Sequence, residues 1–428
     1  MSELLDAAVI RHEVRAWLSE HWNEDRLLGE WRAMLADSGW GCPAWPQQWF
    51  GRGLPLAAAS VVSEVFEEFG AVGPATGTAM TLAAPTLLER GSDELKARLL
   101  RPMLTGEHKW CQLFSEPGNG SDLAGLTTRA ERDGDEWIVN GQKVWNTGAF
   151  GSHYGLLLAR TDWDQPKHRG ITYFALPMQQ PGVEVRPLAQ ANYHSSFNEV
   201  FLTDARVEHV NMVGGQGDGW AVALATLMHE RGLATDRRPR TYREPYGRCV
   251  AEAVQEAAAY FKTYVWYPQR AGRPDLVAPQ LQATGTRGDA LLRQDAMKLD
   301  SVRSMQRWTA ARAEATRASG RPPGPEGSLS KLTTSNIARA CNALHTRIAG
   351  AHGMLSGADS PLGGIIAEVL ISTPAQSIAG GTDEIQHNIL GERVLGLPKE
   401  PEPDKGAPFR EVRANYGPSV PVAPATRF

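Results

Sequence analysis

The feature that most constrains this chain is a change of period. From Lys109 to Val210 the apolar residues come in short runs, GLLLAR, GITYFALPM, VEVRPL and NEVFLTDARV, each bounded by turn signals. Nothing between these runs is long enough for a helix, so a crossover topology is excluded, and a compact barrel or sandwich is expected rather than a parallel sheet. On both sides the spacing is helical. Ile10, Val14, Trp17 and Leu18 mark a first helix, and Trp31, Met34 and Leu35 a second. The period returns through Val61 to Phe69, Met80 to Leu88 and Asp93 to Leu104. After GGQGDGW it resumes with Trp220, Leu224, Leu227 and Arg231, then over 250–265, 289–318, 331–349 and 383–396. The expected fold class is therefore α+β: a helical N-terminal domain over 1–108, a central β-barrel or sandwich over 109–210, and a C-terminal helical bundle over 211–398. Pro268 to Gly288 and Ser319 to Ser328 read as loops, and 399–428 as an extended tail.

The totals exclude several function classes. A chain of 428 residues exceeds what one core supports. A net charge of −4 and a pI near 6.3 give no field that invites nucleic acid or an anionic membrane. No apolar run reaches spanning length and the first residues lack a signal-peptide pattern, so membrane insertion is not expected and a cytoplasmic location is. Cys42, Cys111, Cys249 and Cys341 are scattered and read as free buried thiols. No histidine lies at ligand spacing, and no metal is expected.

The stretch from Lys109 to Thr147 carries the chemistry. An extended run, KWCQLF, breaks at Glu116-Pro117 into a loop holding Gly118, Gly120, Ser121 and Asp122. Asp133-Gly134 and Asn140-Gly141 are strong turn signals and predict a hairpin followed by another strand. A strand ending beside a loop of glycines and hydroxyls suits a flat, phosphate-bearing ligand, because backbone amides can approach phosphates without Cβ interference. An ordinary surface turn would read the same way. Gly215-Gln-Gly217-Asp-Gly219 lacks the spacing and flanking strand of a dinucleotide loop, and is expected to be a flexible joint.

With its helical, β, helical order, the chain resembles the acyl-CoA dehydrogenase family of flavoenzymes over residues 1 to 398. Pro46-Gln-Gln-Trp-Phe-Gly51 and Gly106-Glu107 resemble family elements of the helical domain. Phe114-Ser-Glu-Pro-Gly-Asn-Gly-Ser-Asp122 resembles its T-E-P-x-A-G-S-D signature, and Asn140-Gly-Gln-Lys-Val-Trp-Asn-Thr147 its N-G-x-K-x-W-I-T partner. Gly380-Gly-Thr-Asp-Glu-Ile-Gln386 and Ile389 to Pro398 resemble the closing flavin motif. The resemblance implies FAD as cofactor, with Gln112, Phe114 and Ser115 along the ring, Gly120 and Ser121 at the pyrophosphate, and Trp145 and Thr147 over the opposite face. Arg347, Thr382 and Glu384 are carried over as further cofactor contacts. A flavin needs donors at its electron-accepting edge and an apolar face that excludes water, which these residue types supply. Taken apart from its motif, Trp145 would read as a buried tryptophan of the β-domain.

Removing a proton α to a thioester needs a desolvated carboxylate and a donor to the oxygen where charge develops. Many family members carry the base just before the final G-T pair; here that position is Gly380. A minority place it on the first C-terminal helix, where this chain reads Leu227-Met-His-Glu-Arg231. At about 100° per residue, Arg231 falls near the middle of the stripe made by Trp220, Leu224 and Leu227, and Glu230 at its edge. An exposed or structurally paired Glu230 and Arg231 is the bland alternative. The resemblance implies Glu230 as base, Arg231 as its support and the Gly381 amide as donor to the thioester oxygen.

The family's R-x-x-F-G segment is not recognisable, with Gln269-Arg270-Ala-Gly-Arg273-Pro the nearest match, and Arg347 stands where glutamine is usual. These departures resemble a bacterial branch in which two different subunits share the flavin sites. The implied partners are an acyl-CoA substrate, an electron-transfer flavoprotein and further subunits in a homo- or hetero-oligomer, a dimer or tetramer. Three readings stand: an acyl-CoA dehydrogenase, a flavin monooxygenase or N-hydroxylase on the same scaffold, and a non-catalytic partner subunit.

Overall fold

The structure, a computed structural model, describes residues 2–232, 240–318, 324–357, 360–402 and 404–412. It divides into two compact units, one of Met1–Leu188, Ser196–Thr263 and Asp404–Phe428, the other of Ala189–Ser195 and Tyr264–Pro403.

The first unit opens with helices α1 (Ser2–His21), α2 (Leu28–Ser38), α3 (Leu56–Glu68), α4 (Ala84–Arg90) and α5 (Asp93–Thr105), with one π-helical turn, Ala79–Ala83, leading into α4. The strands follow: β1 (Trp110–Leu113), β2 (Arg129–Asp133), β3 (Glu136–Lys143), β4 (Tyr154–Arg160), β5 (Ile171–Pro177), β6 (Val183–Leu188) and β7 (Phe197–Glu208). Helices α6 (Gly219–Gly232) and α7 (Arg248–Phe261) complete it.

The strands form one seven-stranded sheet, ordered β1-β4-β2-β3-β7-β6 with β5 on the other edge of β4. β1 and β2 both pair with β4 in parallel, which corrects the expectation that crossovers are excluded. The connection from β1 to β4 is filled by the β2–β3 hairpin instead of a helix. β4 and β5 read as unbroken apolar runs because both faces are covered. Leu156, Leu158, Ile171, Tyr173 and Ala175 join a core with the N-terminal helices and α6, while Leu157, Ala159, Phe174 and Leu176 join a second core with Trp137, Val139 and Val200.

Of the two turn signals, only the first makes a turn. Asp133 pairs with Glu136 around Gly134. Asn140-Gly141 lies inside β3, opposite an irregularity of β7 between the Val139–Ala205 and Gly141–Leu202 pairs. There Asn140 donates from Nδ2 to Asp204 (2.9 Å) and accepts the Asp204 N–H (3.0 Å), steadying that residue at φ 50°. A Cβ at Gly141 would run into the Thr128 hydroxyl and lie 2.8 Å from the Thr128 Cα. The glycine is there for the close approach of Thr128, the residue just before β2. The expected joint before α6 is likewise packed: Gly217 N–H donates to Thr172 Oγ1 (3.0 Å), and a Cβ at Gly219 would lie 2.7 Å from the Ile171 carbonyl oxygen.

The second unit contains α8 (Tyr267–Arg270), α9 (Val277–Ala283), α10 (Ala290–Ala318), α11 (Glu326–Ala349), α12 (Ile365–Ser372), α13 (Pro374–Ile378) and α14 (Asp383–Arg393). α9 corrects the reading of 268–288 as loop alone. Its core gathers Val277, Leu281, Leu292, Leu299, Ile337 and Leu344. Leu362–Arg393 contains an 18-residue window apolar enough by composition to cross a bilayer, but it is divided among α12, α13 and α14. Its helices are interrupted at Ala379, which is extended, and at the left-handed Gly380 and Gly381. All four cysteines are free and buried.

Substituting Gly141 by valine forces β2 and β3 apart. A loss of about 2–3 kcal/mol, read from the midpoint of denaturant unfolding, is expected.

Candidate active site

At the end of β1 the chain turns tightly. The Glu116 N–H donates to the Asn119 carbonyl (3.2 Å) and Asn119 N–H returns to Glu116 (3.1 Å). A buried ion pair ties this turn to the sheet. Lys143, at the end of β3, has no exposed side-chain surface, and its Nζ donates to Glu116 Oε1 (2.9 Å) and to the Phe114 carbonyl (3.0 Å). Glu116 also accepts from the N–H groups of Thr127 (2.7 Å) and Thr128 (2.8 Å) and from the Thr127 hydroxyl (2.9 Å). Burial alone would push this carboxyl up; Lys143 and the surrounding donors outweigh it and hold its pKa down at about 2. Val144 N–H donates to the Ser115 carbonyl (2.9 Å), so residues 114–116 and 143–144 are clamped face to face.

Next comes a strained tryptophan. Trp145 sits at φ 65° with 56% of its surface exposed, its ring edge-on to Phe197 at 5.6 Å. A left-handed, exposed tryptophan is unfavourable on both counts and points to a surface kept for a ligand. Its exposure excludes the reading of a buried β-domain tryptophan. Asn146 braces it from behind, donating from Nδ2 to the Gln112 carbonyl (2.7 Å), while its carbonyl accepts from Asn198 Nδ2 (2.8 Å). Asn146 Oδ1 is buried with no partner. Gln112 and Thr147 are half-buried, Phe114 is buried edge-on against Tyr173 at 5.8 Å, and Ser121 is exposed. Space around a Cβ at Gly120 is open.

Helix α6 places Glu230 differently from expectation. The buried stripe runs through Gly219, Val222, Ala223 and Thr226. Glu230, one turn beyond Thr226, falls on that stripe and is half-buried. Leu224 is 42% exposed. The Arg231 side chain lies outside the described residues. The fully buried line is made by small and medium residues, with the larger Trp220 and Leu227 half-buried beside it against the same core. Under it, Thr86 on α4, Thr226 and Tyr173 on β5 join their hydroxyls at 3.0 and 3.1 Å, all fully buried. His229 Nε2 lies 3.3 Å from the Glu89 carboxylate of α4.

The second unit holds the other expected residues. Gly380 and Gly381 have φ of 70° and 82° and lead into α14, whose N-cap Thr382 accepts the Ile385 N–H at 3.3 Å. A Cβ at Gly381 would lie 2.7 Å from Gln386 Nε2, whereas at Gly380 it would meet nothing. Asp383 is buried between Lys331 and Arg339 of α11, each at 2.6 Å. Burial opposes its ionisation, but these two cations prevail and hold its carboxyl well below the usual range. Glu384 is exposed, and hydrogen bonds to its own N–H and the Thr382 hydroxyl lower its carboxyl. Arg347 is ion-paired with Asp295 of α10, at a groove of about 340 Å³ floored by Leu299, Val302, Ile337 and Leu344. Where the R-x-x-F-G segment was sought, His345 anchors the loop by facing the Gly272 and Arg273 carbonyls (3.2 and 3.1 Å).

The family models "Acyl-CoA dehydrogenase, N-terminal domain", "middle domain" and "C-terminal domain" match residues 5–107, 111–205 and 275–395. The chain is 33% identical over 425 residues to "Acyl-CoA dehydrogenase IpdE1" of Mycobacterium tuberculosis, covering 92% of this chain and 99% of that one. It belongs to the acyl-CoA dehydrogenase family. Two solved structures share the fold: the "Tcur3481-Tcur3483 steroid ACAD" (TM-score 0.63, 23% identity, 92% of this chain and 98% of that one) and the "ChsE4-ChsE5 complex from Mycobacterium tuberculosis" (TM-score 0.60, 22% identity, the same coverage). Residues 206–274, which carry Glu230, lie between the matched domains.

In the sequence, Lys143 and Asn146 lie inside the family motifs with no task attached to either, and Arg160 lies outside those motifs. A lysine inside a strand whose neighbours alternate with buried Trp137 and Val139 was the available signal. Replacing Lys143 with methionine strands the Glu116 carboxylate, and a loss of about 3–5 kcal/mol is expected. The pH dependence has a definite sign. Because Glu116 is held at about 2 against an ordinary 4.5, its contribution is full above the ordinary value and fades as pH falls toward about 2. Thermal melts between pH 7 and pH 2 should show that acid loss in the parent and a flatter profile in Lys143→Met.

Proposed function

We propose that this chain is an FAD-dependent acyl-CoA dehydrogenase that converts an acyl-CoA thioester to its trans-2-enoyl-CoA. The observation that carries the reading is Glu230 on the inward stripe of α6, in a chain whose usual base position is Gly380. A family member with no carboxylate at one site and a half-buried one at the other has a base to offer.

The residues fit a flavin. Trp145 presents an uncommitted aromatic face, Asn146 Oδ1 is a buried acceptor without a partner, and the Gly120 backbone stands in open space. Gln112, Phe114 and Ser115 would hold the ring, with the Ser115 and Thr147 hydroxyls as donors at its N5 edge and Trp145 as a cover against water. Gly120 and Ser121 would meet the pyrophosphate, with Thr382, Glu384 and Arg347 proposed as further contacts. When bound, FAD supplies the acceptor for the β-hydrogen, taken as hydride. Glu230 takes the pro-R α-proton. The Gly381 amide donates to the thioester oxygen as charge develops there, and Arg231 supports the base. Electrons then leave to an electron-transfer flavoprotein.

Glu230→Gln is expected to keep the flavin spectrum while bleaching by acyl-CoA slows by about 10³-fold or more. Normal turnover in that variant would sink the assignment.

A second reading, a half-site subunit of a heteromer, is favoured by one observation: Arg347 is already engaged by Asp295. Both structural neighbours cited are named as two-component assemblies. Expressed alone, a self-sufficient enzyme comes out yellow with one flavin per chain. A colourless chain that turns yellow only with a second, different subunit favours the heteromer.

A further inference from the structure

Residues 404–412 are bound to the first unit instead of trailing from it. Phe409 N–H donates to the Gln165 carbonyl (3.0 Å) and Arg410 N–H to the Trp163 carbonyl (3.1 Å). The Arg410 guanidinium grips the Asp164 carboxylate through Nε and a terminal nitrogen, both at 2.7 Å. Phe409 lies 5.5 Å from the Trp163 ring, and its own ring centroid is 3.3 Å from the Arg160 guanidinium carbon.

Arg160 is fully buried. In its plane it donates to three backbone carbonyls: Ala124 (2.7 Å), Leu126 (3.1 Å) and Lys167 (3.1 Å). The same loop is tied once more where Lys167 Nζ donates to Asp122 (2.8 Å) and Gly125 N–H to the Asp122 carbonyl (2.9 Å). Gly120 and Ser121 are the residues just before that knot. A loop that meets phosphate with its backbone amides needs its carbonyls engaged elsewhere, and Arg160 engages them. Its guanidinium edges are satisfied by the loop, and a face is covered by an aromatic ring from about 250 residues away in the chain, an arrangement that is strong when desolvated.

We propose that the C-terminal segment is a latch on the cofactor loop: Phe409 covers Arg160, and Arg160, a positioning residue, holds residues 120–126 in the shape that grips the FAD pyrophosphate. The proposal rests on the flavin reading. The test uses apo-protein, with FAD and riboflavin affinities read by flavin fluorescence in the parent, in Phe409→Leu, in Phe409→Tyr, and in the chain ended after residue 402. Loss of the ring should weaken FAD by about tenfold, with Phe409→Tyr near the parent and the shortened chain at least as weak as Phe409→Leu. Riboflavin, which has no pyrophosphate, should bind all four alike. Unchanged FAD affinity in Phe409→Leu overturns the latch, as does an equal loss for riboflavin, which would mean general damage. If the shortened chain does not fold, the two Phe409 variants still decide. A parent that binds neither flavin, alone or together with a second, different subunit, overturns the flavin reading itself.

Discussion

Lys143 reaches from the end of β3 to the carbonyl of Phe114 and the carboxylate of Glu116, and the sheet-borne half of the candidate site depends on that reach. Taking both charges out of water costs several kcal/mol per ion, and their attraction offsets this only because Thr127 and Thr128 add donors to the same carboxylate. The return is geometric. One side chain fixes the end of β1 against the end of β3, so Ser115, just past Phe114, and Trp145, two residues past Lys143, hold one relative position. Two apolar residues in place of the pair would fill the volume without fixing that register.

The second unit imposes a constraint of another kind. Gly381 is required because its backbone sits at φ 82°, where a Cβ is strained, and Gln386 Nε2 lies in the space that Cβ would take. Gly380 has room for a side chain, but its left-handed backbone would strain any residue that carries one. A family member that places its carboxylate on a helix avoids that strain, and α6 offers a position where helical geometry alone turns a side chain inward.

Much of this was legible in the sequence. The switch from helical to strand period located the β-region, because period is a direct consequence of how side chains project from each backbone. The family motifs pointed to Ser115, Trp145 and Thr147, and of these Trp145 has the exposed, left-handed placement that marks it out. Less legible were features set by contacts distant in sequence. Asn140-Gly141 has the local chemistry of a turn, but Thr128, the residue just before β2, and the irregularity at Asp204 decide its conformation. The inward face of α6 was misjudged because Val222, Ala223 and Thr226 line it while Leu224 faces out. Parallel pairing of β1 with β4 could not be read from loop lengths, since a hairpin replaced the expected helix. Phe409 meeting Arg160 is beyond any local pattern.

The buried hydroxyls of Thr86, Thr226 and Tyr173 carry a consequence about direction. Thr226 has one hydroxyl hydrogen, and where the Val222 carbonyl takes it at 3.1 Å, the two neighbouring hydroxyls are left to donate to the Thr226 oxygen. Burial pushes the Tyr173 phenol up, so that donor stays protonated. Three uncharged hydroxyls then end on one backbone carbonyl, and they fasten α4, α6 and β5 together in the turn of α6 just before Glu230 without bringing a charge into the core.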